Sequence, residues 1–173
     1  MKTTTIYISV LCAALAACSE KAPSDSAASA PAASQLVANA VATDSECSAV
    51  FTGNHSMVYD KRELTIDTQK CKEFTVTVRN VGHLPRNSRG HNFVLAKASD
   101  EKAILMDGLE LGPKSDFLKP NDPRVIAYTK LAGGGEEQSV TFKTNQFQEG
   151  ETYLFFCSFL GHHKMRGPVY VKF

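Results

Sequence analysis

Tryptophan is absent from this 173-residue chain, and the soft donors cysteine and methionine are scarce, at five and four. Charge of either sign is not in excess. Nineteen Lys and Arg against eighteen Asp and Glu leave a formal net charge of +1, so a nucleic-acid or anionic-surface partner has no electrostatic footing. No internal repeat is present, which excludes solenoids and propellers. No phosphate-binding P-loop or glycine-rich dinucleotide turn occurs, which removes the usual nucleotide classes. The one apolar run near the start is too short for a membrane span. What remains is room for one ordinary domain with a few reactive side chains, whose placement becomes the main clue.

The first residues read as a processing signal. Lys2 gives a positive start and "IYISVLCAALAAC" an apolar run ending in small residues, the pattern of a secretory signal peptide. Leu15-Ala16-Ala17-Cys18 resembles the lipobox of bacterial lipoproteins. That resemblance implies a signal peptide over 1–17, cleavage before Cys18, and acylation of Cys18. Several acyl chains anchor stably, since each buried methylene contributes about 0.8 kcal/mol. Ser19 in place of aspartate points to the outer membrane. Residues 18–45 continue as alanine, serine and proline without aromatics. Such a stretch buries too little apolar surface to offset its ordering entropy and reads as a tether. A flexible coil of that length spans roughly 30 Å, and fully extended it reaches on the order of 90 Å. The globular domain is expected over 46–173.

Of the five cysteines, Cys12 is expected to leave with the signal and Cys18 would be the lipidation site. Cys47, Cys71 and Cys157 remain in an oxidising setting, where two should pair and one is left over. Cys47 and Cys71 both sit early in the domain, and closing the loop between them would stabilise by about 3 to 4 kcal/mol on the chain-entropy account. Cys157 would then be the odd thiol, to be buried, catalytic or metal-bound.

Alternation of period two marks strands at 74–81, 92–96, 139–143, 152–158 and 168–173, with weaker candidates at 49–53 and 63–67. Gly, Pro and Asn cluster between them, and many short strands with such turns imply a β-sandwich. "SDEKAILMDGLELG" breaks the pattern. Ser99 as N-cap and acidic residues in the first turn predict a short helix near 100–111, outside the sandwich.

The stretch "CSFLGHHKM", 157–165, gathers a cysteine, two histidines and a methionine in a strand-loop-strand setting. A further donor is expected from a distant strand, and His91 in "SRGHNF" supplies it. A thiolate, two imidazoles and a thioether select copper, and a His₂Cys plane with a weak axial methionine is the blue-copper electron-transfer arrangement. Calcium and magnesium need oxygen donors, and structural zinc usually takes more thiolates.

"GNHSM", "CKEFTVTV", "LPRNSRGHNFVL", "DGLELG", "FLKPNDPRVIAYTKL", "GGGEEQSVTF" and "EGETYLFFCSFLGH" follow one another in the order found in azurins. On these motifs the chain resembles the azurin family of blue copper proteins (cupredoxins), most nearly its lipid-modified members. The resemblance implies an all-β Greek-key sandwich of about eight strands with one short helical insertion, and a disulfide between Cys47 and Cys71. It implies one copper ion cycling between Cu(I) and Cu(II), with His91, Cys157 and His162 in the plane, the Gly90 carbonyl on one axis and Met165 on the other. Asn92, Ser158 and Phe159 fall where the family holds its two ligand loops together and donates hydrogen bonds near the thiolate. Leu84, Arg89, Phe159, Leu160 and Gly161 fall on its partner-docking rim. The implied role is a membrane-anchored carrier of single electrons in the bacterial cell envelope, facing the periplasm or the surface. The implied partners are c-type cytochromes, cytochrome c peroxidase or copper nitrite reductase.

The sequence also departs from that pattern. His162 and Met165 are three residues apart where azurins have four, His163 adds a second histidine, and Leu160 replaces a proline. Ser88 and Arg89 replace apolar residues, Phe93 stands at the core indole position, and Asn80 replaces a histidine, so less pH dependence is expected from that source. Arg86, Arg89, His163, Lys164 and Arg166 surround the rim and could steer an acidic partner. His55 and His83 lie in turns and read as solvated. Two other functions share the donors. Copper storage or chaperoning favours exposed, methionine-rich sites, which four methionines do not supply. A cysteine enzyme with Cys157 as nucleophile and His162 as base needs an oxyanion hole and a cleft, and the sequence shows neither.

Overall fold

The most regular alternation in the sequence becomes the centre of a sheet. In the computed structural model, which describes residues 42–173, β3 (Glu73–Asn80) turns Phe74, Val76 and Val78 inward. It pairs in parallel with β1 (Ser48–Gly53) and antiparallel with β6 (Glu137–Lys143). A second sheet has the order β2-β8-β7-β4-β5, built from β2 (Leu64–Asp67), β4 (Val94–Lys97), β5 (Val125–Tyr128), β7 (Tyr153–Phe156) and β8 (Arg166–Lys172). β2 and β8 run parallel; the other pairs are antiparallel. The expected all-β sandwich of about eight strands is the fold observed.

One core joins the inner faces of both sheets. Phe51, Val76, Val78 and Phe142 from the first meet Ile66, Leu95, Phe155 and Val169 from the second. Phe51, Phe93 and Phe155 are wholly buried with ring centroids 4.8–5.8 Å apart. The core therefore fills around phenylalanine where no indole is available. Truncating one such ring typically costs 3 to 5 kcal/mol.

The second sheet is covered on its outer face as well. Helix α2 (Glu101–Leu111) lays Ile104 against Val94, Ala96, Leu118, Leu154 and Phe156. This explains why β7 is buried on both faces and reads as a near-continuous apolar run. The helix starts one residue later than the expected Ser99 cap, with Asp100 at the N-cap and no side-chain capping bond. A single helical turn, α1 (Arg86–Arg89), precedes Gly90. It lies in a segment with no helical period in the sequence.

Cys47 and Cys71 are disulfide-bonded. The domain's ties begin before residue 46. The Val50 N–H donates to the Asp44 carboxylate at 2.7 Å, and Lys61 pairs with Asp44 at 2.9 Å. The expected signal peptide, Cys18 and the tether up to residue 41 lie outside the described residues.

Candidate metal centre

β7 delivers Cys157 to one end of the sandwich, and β8 begins just after Met165. Between them a tight loop turns back on itself. The His162 N–H donates to the Phe159 carbonyl (3.0 Å), the Met165 N–H to the His162 carbonyl (2.8 Å), and the Cys157 N–H to the Met165 carbonyl (2.9 Å). His91 arrives from the other direction, in a bridge to Ala132 with backbone bonds of 3.0 and 2.8 Å. The sequence placed it at a strand start; it sits three residues before β4.

The three side chains converge. The Nδ1 atoms of His91 and His162 are 3.3 Å apart, and Cys157 Sγ is 3.6 Å from His162 Nδ1. One donor atom from each lies within 4.8 Å of the others, and all three residues are buried. Bond lengths of about 2.0 Å to imidazole nitrogen and about 2.3 Å to thiolate sulfur, of the kind d-block ions make, put donors in a trigonal plane about 3.5–3.8 Å apart. The His91–His162 and His162–Cys157 separations, 3.3 and 3.6 Å, fall close to that spacing. Among the described residues this is the one group of its kind.

Met165 is fully buried and belongs to the same place. A Cβ on Gly53 would lie 2.9 Å from both the Met165 methyl and His91 Cδ2. Only glycine at the end of β1 leaves room for the two side chains to approach. Gly90 is equally constrained, since a Cβ there would sit 2.4 Å from the Arg86 carbonyl oxygen. His163 is exposed and outside the cluster, next to the ligand loop. His163→Ala should therefore leave metal binding and its visible band nearly unchanged, whereas loss of the band would mean that His163 is a ligand.

The polar surroundings prepare the donors. His91 Nε2 donates to the Asn54 carbonyl at 3.0 Å, which turns the unprotonated Nδ1 toward the cluster. Burial pushes both imidazoles down to about 4, so both are neutral at pH 7. Burial pushes the Cys157 thiol up to about 11, against the Asn92 and Phe159 N–H groups that favour the thiolate. A cation is what would hold that sulfur ionised. In the metal-free protein the unfolded state binds protons that the folded histidines refuse between about pH 6.5 and 4. Metal-free stability should thus be fully present above pH 6.5 and fall as pH drops toward 4. Urea midpoints at pH 7 and 4.5 check this; equal midpoints would contradict it.

Asn92 and Ser158 lock the two ligand-bearing segments together. Asn92 Nδ2 donates to Ser158 Oγ at 2.8 Å, and the Ser158 N–H donates to Asn92 Oδ1 at 2.9 Å. Both side chains also donate to the Asp116 carbonyl. Asp116 had no signal in the sequence. It holds a left-handed backbone conformation (φ 58°), and its carboxylate accepts from the Leu131 N–H and from Arg86. Phe159 stacks on the His162 ring with centroids 4.6 Å apart.

Outside the cluster, Phe159, Leu160 and Gly161 line a groove of about 190 Å³ with Leu105, Met106 and Leu109 of α2. Leu160 is 63% exposed. Arg89 rests its guanidinium on the Met57 sulfur at 2.8 Å, and Leu84 is half-buried. Met106 and Leu109 were not singled out from the sequence. They recur three apart on the helix, a spacing that reads equally as a core-facing stripe. A larger cavity, about 630 Å³, is lined by Thr68, Lys72, Asn145 and Phe147 among others. It contains none of the donor residues, and its volume gives it no claim on the chemistry.

Comparison with known proteins resolves what kind of centre this is. The family described as copper binding proteins, plastocyanin/azurin family, matches residues 45–172. The chain belongs to that family. It is 46% identical to azurin from Pseudomonas aeruginosa over 128 residues, covering 73% of this chain and 86% of that one. It is 44% identical to azurin from Alcaligenes faecalis over 124 residues, covering 71% and 96%. A solved azurin, Az-iso2 from Methylomonas sp. strain J, superposes with a TM-score of 0.70 at 38% identity, covering 75% of this chain and all of the other. The metal of this plastocyanin/azurin family is copper, and the His₂Cys cluster has the donors and spacing to take one ion of it.

Proposed function

We propose that the chain is a membrane-anchored, periplasm-facing type 1 copper protein that carries single electrons between redox partners and transforms no substrate. The observation that carries this reading is the prebuilt donor set. His91, Cys157 and His162 already converge, buried, at copper-compatible spacing. Copper held there supplies a one-electron Cu(I)/Cu(II) couple. Everything else is the work of the chain. His91 and His162 bind as neutral imidazoles, and Cys157 binds as thiolate. Met165 would add a thioether and Gly90 a backbone carbonyl to the same ion. Asn92, Ser158 and Asp116 fix the loops, so little rearrangement need accompany electron transfer. The three-residue step from His162 to Met165 still leaves Met165 buried at the cluster, beside His91.

His162 lies beneath Phe159 and lines the same groove as Leu160, which makes the rim formed by Leu84, Arg89, Phe159, Leu160 and Gly161, extended by Met106 and Leu109, the docking surface. Suitable partners are soluble redox proteins such as c-type cytochromes, cytochrome c peroxidase or copper nitrite reductase. Acylated Cys18 and the tether that follows would hold the domain at the outer membrane. Storage or chaperoning is the weaker reading, because donors exposed by 1–4% exchange metal poorly.

Stopped-flow mixing of the Cu(II) protein with a reduced c-type cytochrome tests the function. Rapid stoichiometric oxidation of the cytochrome, slowed in Leu160→Asp, supports it. A blue protein that exchanges no electrons with any such partner contradicts it. Detergent phase partitioning of wild type and Cys18→Ala tests the anchor. Equal partitioning into water refutes it.

A further inference from the structure

Parallel strands that end in register deliver the chains that follow them to the same place. β1 and β3 pair in parallel up to Gly53 opposite Asn80. The segments leaving them, Asn54–His55 and Val81–His83, therefore emerge side by side. The Val81 N–H donates to the Gly53 carbonyl at 2.9 Å, which ties the two exits together. Each turn is then braced internally. Asn54 Oδ1 accepts from the Ser56 N–H and Asn80 Oδ1 from the Gly82 N–H. The Gly134 N–H donates to the Leu84 carbonyl just beyond His83. Two exposed histidines result whose rings face each other. His55 Nε2 is 3.0 Å from His83 Nδ1, with centroids 4.4 Å apart and planes at 74°. They read as independent solvated side chains in the sequence, yet they form a fixed pair.

The geometry points to a second metal site at this pair, for an exposed borderline divalent ion such as Zn(II), Ni(II) or Cu(II). Imidazole nitrogen is the donor these ions favour. Two nitrogens each about 2.0–2.1 Å from one ion lie about 2.9 Å apart at a right angle and about 3.4 Å apart at the tetrahedral angle, and the 3.0 Å found here falls between the two. Binding requires both facing nitrogens to present lone pairs. The proton now shared between them moves to the remote nitrogen of its own ring, and no residue need ionise. Water completes the coordination shell, because both rings are exposed. The site stands apart from the buried cluster in donors and access, and it does not depend on the copper reading. It lies close by, since the Asn54 carbonyl accepts from His91.

Calorimetric titration of Zn(II) into the copper-loaded full-length protein tests the pair. One Zn(II) equivalent is expected, with affinity at least tenfold weaker in His55→Ala and in His83→Ala and unchanged in His163→Ala. Both alanine variants remove exposed side chains and should keep the fold, which circular dichroism verifies. Absence of Zn(II) binding in the wild type overturns the proposal, as does binding unchanged in both variants. An equivalent that survives in both and vanishes in Cys157→Ala belongs to the buried cluster, and it too overturns the pair site.

Discussion

Cys157→Ala should abolish tight Cu(II) binding and all intense visible colour while the domain stays folded. The sulfur is the only anionic donor in the cluster, and the thiolate is what separates a blue centre from ordinary imidazole-bound copper. Without it, His91 and His162 offer two neutral nitrogens 3.3 Å apart, and Cu(II) affinity should fall by several orders of magnitude. The fold should lose little, because the position is held by the Cys157 N–H bond to Met165 and by the Asn92–Ser158 lock next to it. Removing a small buried apolar group at this strand end costs about 1 to 2 kcal/mol. Absorbance titration with Cu(II) and a urea melt separate the two effects. A variant that stays blue would refute the assignment of the thiolate.

Removing the disulfide should give the opposite pattern, with a large loss of stability and an intact copper spectrum. The bridge joins Cys47 to Cys71 across a sequence separation of 24. Closing such a loop restricts the unfolded chain by about 3 to 4 kcal/mol. Cys71 is buried in the core, so Cys47→Ala, at the half-buried partner, is the cleaner variant. None of the donor residues lies near the bridge in sequence, and the cavity wall at Thr68 and Lys72 is not part of the metal cluster. The melting temperature should fall by about 10–15 °C for a domain of this size, with the visible band of the folded protein unchanged. An unchanged melting temperature would show that the unfolded chain is already restricted without the bridge.

Much of this arrangement could be read from the residues because the local signals were strong. Strands such as Glu73–Asn80 have one face in the core and alternate cleanly. β5 escaped notice because it is four residues long, lies at the sheet edge and inherits no alternation from the Pro-rich turn before it. The donor cluster was legible because Cys157 and His162 crowd one loop and their chemistry demanded a further ligand from elsewhere. Asp116 was not, since it acts through a main-chain carbonyl in a left-handed turn, and no side-chain pattern reports that. Met106 and Leu109 were hidden by a helix whose apolar residues serve two surfaces. The His55–His83 contact arises from the parallel register of β1 and β3, a long-range fact that neither turn carries alone.

The central claim is a thiolate–copper electron-transfer centre, and a visible and EPR spectrum of the Cu(II)-loaded protein, before and after ascorbate, tests it most directly. The account predicts an intense blue band with a small copper hyperfine splitting, bleached by reductant and restored on reoxidation. A faint colour with the wide splitting of tetragonal copper would contradict it, and would mean that the shortened His162–Met165 loop builds a different site.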